Sequence, residues 1–144
     1  MRYFNTYGIG ENSKGVYSSV IWKFIEGVRS GKAPEIYGDG RQSRDFIYVK
    51  DTAMASILGM KKGKSGETYN VGTGFTIDFN EIFDIVKMAT GFKAEAQHVP
   101  NPLKNYQYFT QADMSKARGE LGFVPEYDIP REITEILESI SGED

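Results

Sequence analysis

Short runs rich in β-branched and aromatic residues alternate along this chain with stretches whose apolar side chains recur every three or four positions. That alternation restricts it to a mixed α/β domain, because successive strands and amphipathic helices bury their apolar faces in shared layers. Strand character falls on residues 2–7, 35–37, 45–49 and 67–71, and glycine turns such as Gly8-Ile9-Gly10, Gly38-Asp39-Gly40 and Gly72-Thr73-Gly74 break the runs. The spacing of Val20, Ile21, Phe24, Ile25 and Val28 predicts a helix over 18–29, stopped by Gly31. Asp51 is placed to cap a helix whose inner face is Met54, Ile57 and Leu58. Asp78 with Glu81 forms a capping-box pattern ahead of Phe79, Ile82, Phe83 and Val86, and Gly91 ends that helix. Asp113 caps a predicted helix running to Leu121, with Gly122 as its stop. A final helix follows Asp128, with Pro130 in its first turn and Ile133, Ile136, Leu137 and Ile140 on its apolar face.

Composition removes several function classes. The net charge is -3 and no basic block occurs, so the Lys/Arg cluster that would meet nucleic-acid phosphates is missing. There are no cysteines, which excludes disulfides, thiolate metal sites and a cysteine nucleophile, and fits a cytoplasmic location. No apolar stretch approaches the ~20 residues of a membrane span, so no membrane partner is expected. His98 stands alone and reads as structural.

Four stretches carry more than packing: Arg2-Tyr3-Phe4-Asn5-Thr6-Tyr7-Gly8, Arg44-Asp45-Phe46-Ile47-Tyr48-Val49-Lys50-Asp51, Tyr69-Asn70-Val71-Gly72-Thr73-Gly74, and the region from Gln111-Ala112-Asp113 to Gly122-Phe123-Val124-Pro125. In this order and spacing they resemble the second half of the extended short-chain dehydrogenase/reductases that act on nucleotide sugars. Asn5 then matches an asparagine that hydrogen-bonds the substrate diphosphate or sugar, and Thr6 beside it a cofactor contact. Arg44 matches an arginine that grips the nucleotide, where a planar fork binds bidentately. Read without the resemblance, Arg44 is a surface ion-pair residue. Asp51 and Asp113 read as caps rather than ligand contacts, and Asn70 is equally well a turn former.

Two further stretches are similar to the ADP-heptose 6-epimerases: Glu11-Asn12-Ser13-Lys14-Gly15 with Ser18-Ser19-Val20, and Tyr106-Gln107-Tyr108-Phe109-Thr110-Gln111. That similarity gives Lys14 an acid/base role and Tyr106 a substrate contact; without it Lys14 is a solvated loop lysine. Val16 and Lys23 depart from the heptose pattern, and the UDP-glucose 4-epimerases are similar as well.

The sequence holds no Gly-x-x-Gly-x-x-Gly and no tyrosine followed four positions later by lysine. In the family resembled, both belong to the amino-terminal, dinucleotide-binding Rossmann half. The resemblance therefore implies a carboxyl-terminal substrate-binding part, residues 1–144, with residues 1–10 as the last strand region of the missing Rossmann half. NAD or NADP would be bound mainly by that half. The expected partners are a nucleotide-diphosphate sugar, the Rossmann half and a second copy in a homo-oligomer. The implied reaction is epimerisation by transient oxidation, with the fragment inactive alone. A dehydratase of the same family and a non-catalytic nucleotide-sugar-binding module are the alternatives.

Overall fold

The computed structural model describes residues 1–141. The first strand run divides at Phe4 into β1 (Arg2–Tyr3) and β2 (Asn5–Tyr7). Each finds a parallel partner far along the chain: β1 pairs with Asn70–Val71, and β2 pairs with Phe46–Tyr48 in the register Asn5↔Phe46, Thr6↔Ile47, Tyr7↔Tyr48. In chain order the intervening strands are β3 (Glu35–Tyr37), β4 (Ser43–Arg44), β5 (Phe46–Tyr48) and β6 (Asn70–Val71). The rest are β7 (Ile77–Asp78), β8 (Gln97–Val99) and β9 (Phe109–Thr110). β3 runs parallel to β8, and β4 lies between antiparallel β7 and parallel β9. The run expected over 45–49 holds one strand, β5, and the residues just ahead of it form β4 in a different sheet. The chain changes sheet at Asp45, and Val49 already belongs to a helix. Likewise only Asn70–Val71 of 67–71 is paired.

The helices are α1 (Val20–Arg29), α2 (Val49–Lys62), α3 (Phe79–Thr90) and α4 (Ile129–Ser141). Ser19 caps α1 by accepting from the Trp22 amide at 3.1 Å. The capping box of α3 is present in both directions: the Glu81 amide donates to Asp78 at 2.9 Å and the Asp78 amide to Glu81 at 3.1 Å. Asp128 accepts the Arg131 amide at the start of α4. Asp113 accepts the Ser115 amide at 2.9 Å, but the turn it opens widens into a π-type coil over Ala117–Leu121 before left-handed Gly122.

The expectation for α2 is corrected. Asp51 does not cap it; the helix begins two residues earlier, and the buried Asp51 carboxylate accepts the amides of Glu126 (3.0 Å) and Tyr127 (3.2 Å). Met54 and Ile57, expected inside, are 51% and 45% exposed, while Ala55 is the fully buried residue of the helix. No helix among the described residues is long and apolar enough to cross a membrane.

Strand alternation makes β5 the wall between two cores. Phe46 and Tyr48 face one side with Tyr7 and the apolar stripes of α1, α3 and α4. Ile47 faces the other with Ala55, Tyr69, Val71, Leu121 and Phe123. Burying either set stabilises the fold by roughly 1.5–3 kcal/mol per large side chain.

One group in the first core is out of balance. Glu132 of α4 is fully buried, and neither of its carboxylate oxygens has a hydrogen bond among the described residues. The Nε of Arg131 stands 3.6 Å away, too far and too exposed to replace the lost water. Burial pushes the Glu132 carboxyl up, Arg131 opposes this, and Asp128 and Glu135 add repulsion. The folded chain therefore holds a proton that the unfolded chain releases near pH ~4.3–4.5. Stability attributable to this site is greatest below that value and falls as pH rises toward the raised folded value. Urea unfolding midpoints across pH 4–8 should show the decline, and Glu132→Gln should flatten it; an unchanged slope in the variant refutes the assignment.

Candidate functional site

Arg44 ends β4 and Asp45 stands at the break before β5, and their side chains find separate partners. Asp45 turns inward and is completely buried. Its Oδ1 accepts from the Thr73 amide at 2.7 Å and the Thr73 hydroxyl at 2.8 Å; Oδ2 accepts from the amides of Gly74 at 2.9 Å and Ala112 at 3.0 Å. A carboxylate removed from water is held only by such a full set of donors. The close approach also explains Gly72: a Cβ there would lie 2.8 Å from Asp45 Oδ2 and 2.6 Å from the Ala112 Cβ. The Gly72-Thr73-Gly74 turn is therefore a cradle for a side chain of this same chain.

Arg44 turns the other way and is 9% exposed. Its Nη1 donates to the Ser43 carbonyl at 2.8 Å and its Nη2 to the Gln107 carbonyl. The guanidinium lies between two rings, 5.7 Å from the centroid of Phe79 and 5.5 Å from that of Tyr106. Both contacts are favourable for a cation. No carboxylate among the described residues forms an ion pair with it. Burial lowers the affinity of Arg44 for its proton, and Tyr106 opposes that effect. Burial in turn pushes the Tyr106 phenol up, with Arg44 and Gln42 opposing.

Two cavities that share a wall lie here, and Arg44 lines the first. One, of 340 Å³, is lined by Asn5, Thr6, Arg44, Phe46 and Phe79 together with Tyr17, Ser18, Ser19 and Val20 at the entry to α1. The other, of 310 Å³, shares Val20 and Phe79 and adds Lys23, Glu35, Ile36, Tyr37 and Tyr106. Tyr37 meets Tyr106 edge to face at 6.2 Å, and Tyr106 meets Tyr108 at 5.3 Å.

The fold thus brings Asn5, Thr6, Arg44 and Tyr106 to one place. Asn5, expected to hydrogen-bond the substrate diphosphate or sugar, is partly engaged within the fold. Its Nδ2 already donates to the Asp45 carbonyl at 3.0 Å and the Thr110 hydroxyl at 3.3 Å. That leaves its Oδ1, an acceptor suited to a hydroxyl, for a ligand. The Thr6 hydroxyl shares a 3.4 Å hydrogen bond with that of Thr52. Lys14 does not line either cavity; it forms a 3.0 Å ion pair with Glu11 on the segment leading into α1. Asn70 donates to the Asp113 carbonyl at 3.0 Å, away from both cavities, and His98 Nδ1 lies 2.8 Å from the Gly38 carbonyl. No metal-binding group of three His, Asp or Glu side chains occurs among the described residues.

Sequence reasoning missed three contributors. Phe79 was read as core stripe, yet it stacks on Arg44 and lines both cavities. Glu11 carried no signal in an otherwise polar loop. Asp45 sat inside a recognised motif with no role of its own; its partners lie in the Gly72-Thr73-Gly74 turn and at Ala112. The Gly8-Ile9-Gly10 turn leads from parallel β2 into the 3-10 segment Glu11–Tyr17 rather than into an α-helix, so it differs from the strand–glycine turn–α-helix geometry that cradles a dinucleotide pyrophosphate.

The site is thus a buried arginine set against two aromatic rings, in the wall of one cavity and beside a second. Residues 1–72 match the NAD dependent epimerase/dehydratase family. A putative UDP-glucose 4-epimerase of Methanocaldococcus jannaschii is 37% identical over 137 residues, covering 95% of this chain and 43% of that protein. The UDP-glucose 4-epimerase of Thermotoga maritima, solved with UDP-glucose, superposes with a TM-score of 0.90 at 32% identity over 99% of this chain and 45% of its own. The Helicobacter pylori ADP-L-glycero-D-manno-heptose-6-epimerase does so with 0.86 at 32% identity, over 97% and 42%. The chain belongs to the NAD-dependent epimerase/dehydratase family, and it spans less than half the length of each of these relatives.

Asp45→Asn would set an amide N–H2 against donors that need an acceptor. The variant should lose about 3 kcal/mol of stability, measured by urea unfolding. A loss within error would show that the 72–74 turn holds itself.

Proposed function

We propose that this chain is the nucleotide-sugar-binding part of an NAD-dependent nucleotide-sugar epimerase, of the UDP-glucose 4-epimerase or ADP-heptose 6-epimerase kind. The observation that carries the reading is Arg44: a buried guanidinium between two rings, with no carboxylate partner among the described residues. Such a cation is costly to keep unless an anion arrives to meet it, and a diphosphate at the junction of the two cavities would. The tyrosine-lined cavity beside β3 then takes the nucleoside, whose base can stack on Tyr37 or Tyr106. The sugar extends into the other cavity, where Asn5 Oδ1 accepts from a hydroxyl and Thr6 faces the cofactor side.

The chemistry that NAD supplies in such enzymes is reversible removal of hydride from a sugar carbon. The part assigned to this chain is to bind and orient. Contacts to the nucleotide and diphosphate fix the sugar carbon in place, turning remote binding energy into alignment. The dinucleotide-binding half would dock on an exposed apolar face of Met1 and Tyr3 beside β1 and of Met54, Ile57 and Met60 on α2. The free edges of the two-stranded parallel pairs suit extension of the sheet there. Self-association of this face into a homo-oligomer is the expectation for the chain alone.

Two measurements test the proposal. In an enzyme containing both halves, Arg44→Ala should cost about 2–4 kcal/mol of nucleotide-sugar binding, and Arg44→Lys should recover only part, since an ammonium cannot reproduce a planar fork. Wild-type affinity in both variants would remove Arg44 from the site. Fluorescence titration of this chain alone with NADH should show no saturable sub-micromolar binding; tight binding would overturn the division of labour.

A further inference from the structure

The segment Glu11–Tyr17 is exposed at every residue except its first. Val16 and Tyr17 are 80% and 88% exposed, yet Glu11 is 2% exposed. Its Oε1 accepts the Ser19 amide at 2.9 Å and the Lys14 ammonium at 3.0 Å, and its Oε2 accepts the Ser19 hydroxyl. Ser19 is the cap of α1 and lines the cavity with Arg44 and Asn5. One buried carboxylate therefore ties the start of the segment to its end. The backbone enters the segment through Gly10 (φ 87°) and turns within it at Gly15 (φ 54°), conformations that glycine adopts without strain.

A carboxylate at this wall has an electrostatic drawback. The cavity is suited to an anion, and a bare negative charge behind Ser19 would repel it. Lys14 stands where it cancels that charge, and it does so from outside the cavity. We propose that Glu11 is a positioning residue, the latch that sets the Tyr17–Val20 wall against Asn5 and Arg44, and that Lys14 is its counter-charge. On this account Lys14 acts on the ligand only through Glu11. The inference rests on the nucleotide-sugar reading of the cavity and adds a specific electrostatic role to a residue whose family resemblance suggests proton transfer.

The two charges make a closed set of variants. Glu11→Gln keeps the shape: its oxygen still accepts the Ser19 amide, its N–H2 donates to the Ser19 hydroxyl, and Lys14 is released. Lys14→Met leaves Glu11 uncompensated. The test is calorimetric binding of UDP and ADP to the four chains at low ionic strength. For whichever nucleotide binds, Lys14→Met should weaken affinity about tenfold, the scale of one unscreened charge near the surface. Glu11→Gln alone should stay within about threefold of wild type or bind more tightly, and the double variant should return to within about threefold. A double variant as weak as Lys14→Met would overturn the proposal, since Lys14 would then touch the ligand itself. If the wild-type chain binds neither nucleotide, the nucleotide-sugar reading falls separately. The latch is then decided by hydrogen exchange at the Ser19 amide, expected to be at least about tenfold faster in Glu11→Ala than in wild type. Equal rates would overturn it, and Glu11→Gln, which preserves the shape, controls for misfolding.

Discussion

The structure depends on the burial of one carboxylate. Asp45 sits where the chain passes from one sheet to another, and its two oxygens collect four donors from residues 73, 74 and 112. Because a desolvated charge needs every one of those donors, the 72–74 turn and the approach to Ala112 are fixed relative to β4 and β5. The strand β9 that ends just before this point pairs with β4 through Ser43↔Phe109 and Arg44↔Thr110. Holding β9 in register is what carries Tyr106 and Gln107 onto the Arg44 guanidinium. Asp45 and Arg44 are thus neighbours in sequence whose side chains serve two separate sets of partners.

The same device recurs on a smaller scale. Asp51 gathers the amides of Glu126 and Tyr127 and so directs the chain into α4, and Glu11 gathers Ser19 and so directs it into α1. In each case a short polar side chain satisfies backbone donors on a distant loop, which a loop cannot do for itself once it is covered. Glu132 is the contrast. It is equally buried, but no donor among the described residues hydrogen-bonds it, so burial raises its proton affinity and its neighbours Asp128 and Glu135 reinforce the shift.

Two charged groups of opposite sign, the tethered Glu11 carboxylate and the Arg44 guanidinium, lie near a single cavity. No carboxylate among the described residues forms an ion pair with Arg44, and its ring neighbours keep it oriented. The Glu11–Lys14 pair shapes the opposite wall at little net charge. Phe79 joins the two functions, because the first residue of α3 is at once part of the helix packed on the core and a face of the cavity.

What the sequence determined alone were the features set within a few residues of one another. The capping box of Asp78 and Glu81, the apolar stripes of α1, α3 and α4, the mixed α/β class and the glycine stops all follow from local periodicity and local hydrogen bonding. The resemblance placed Asn5, Thr6, Arg44 and Tyr106 among ligand contacts, and these four residues do converge in space. The sequence could not decide which strands pair, because parallel partners such as β1 and β6 lie far apart and share no turn that records their register. Nor could it tell a capping aspartate at position 51 from one that reaches a loop near residue 126, or show that Met54 and Ile57 face outward. The contents of each carboxylate's surroundings come from elements brought together only by folding. Tertiary structure alone therefore decided that Asp45 turns away from Arg44, that Asn5 spends its donors inside the fold, and that Lys14 stands beside Glu11 rather than in the cavity.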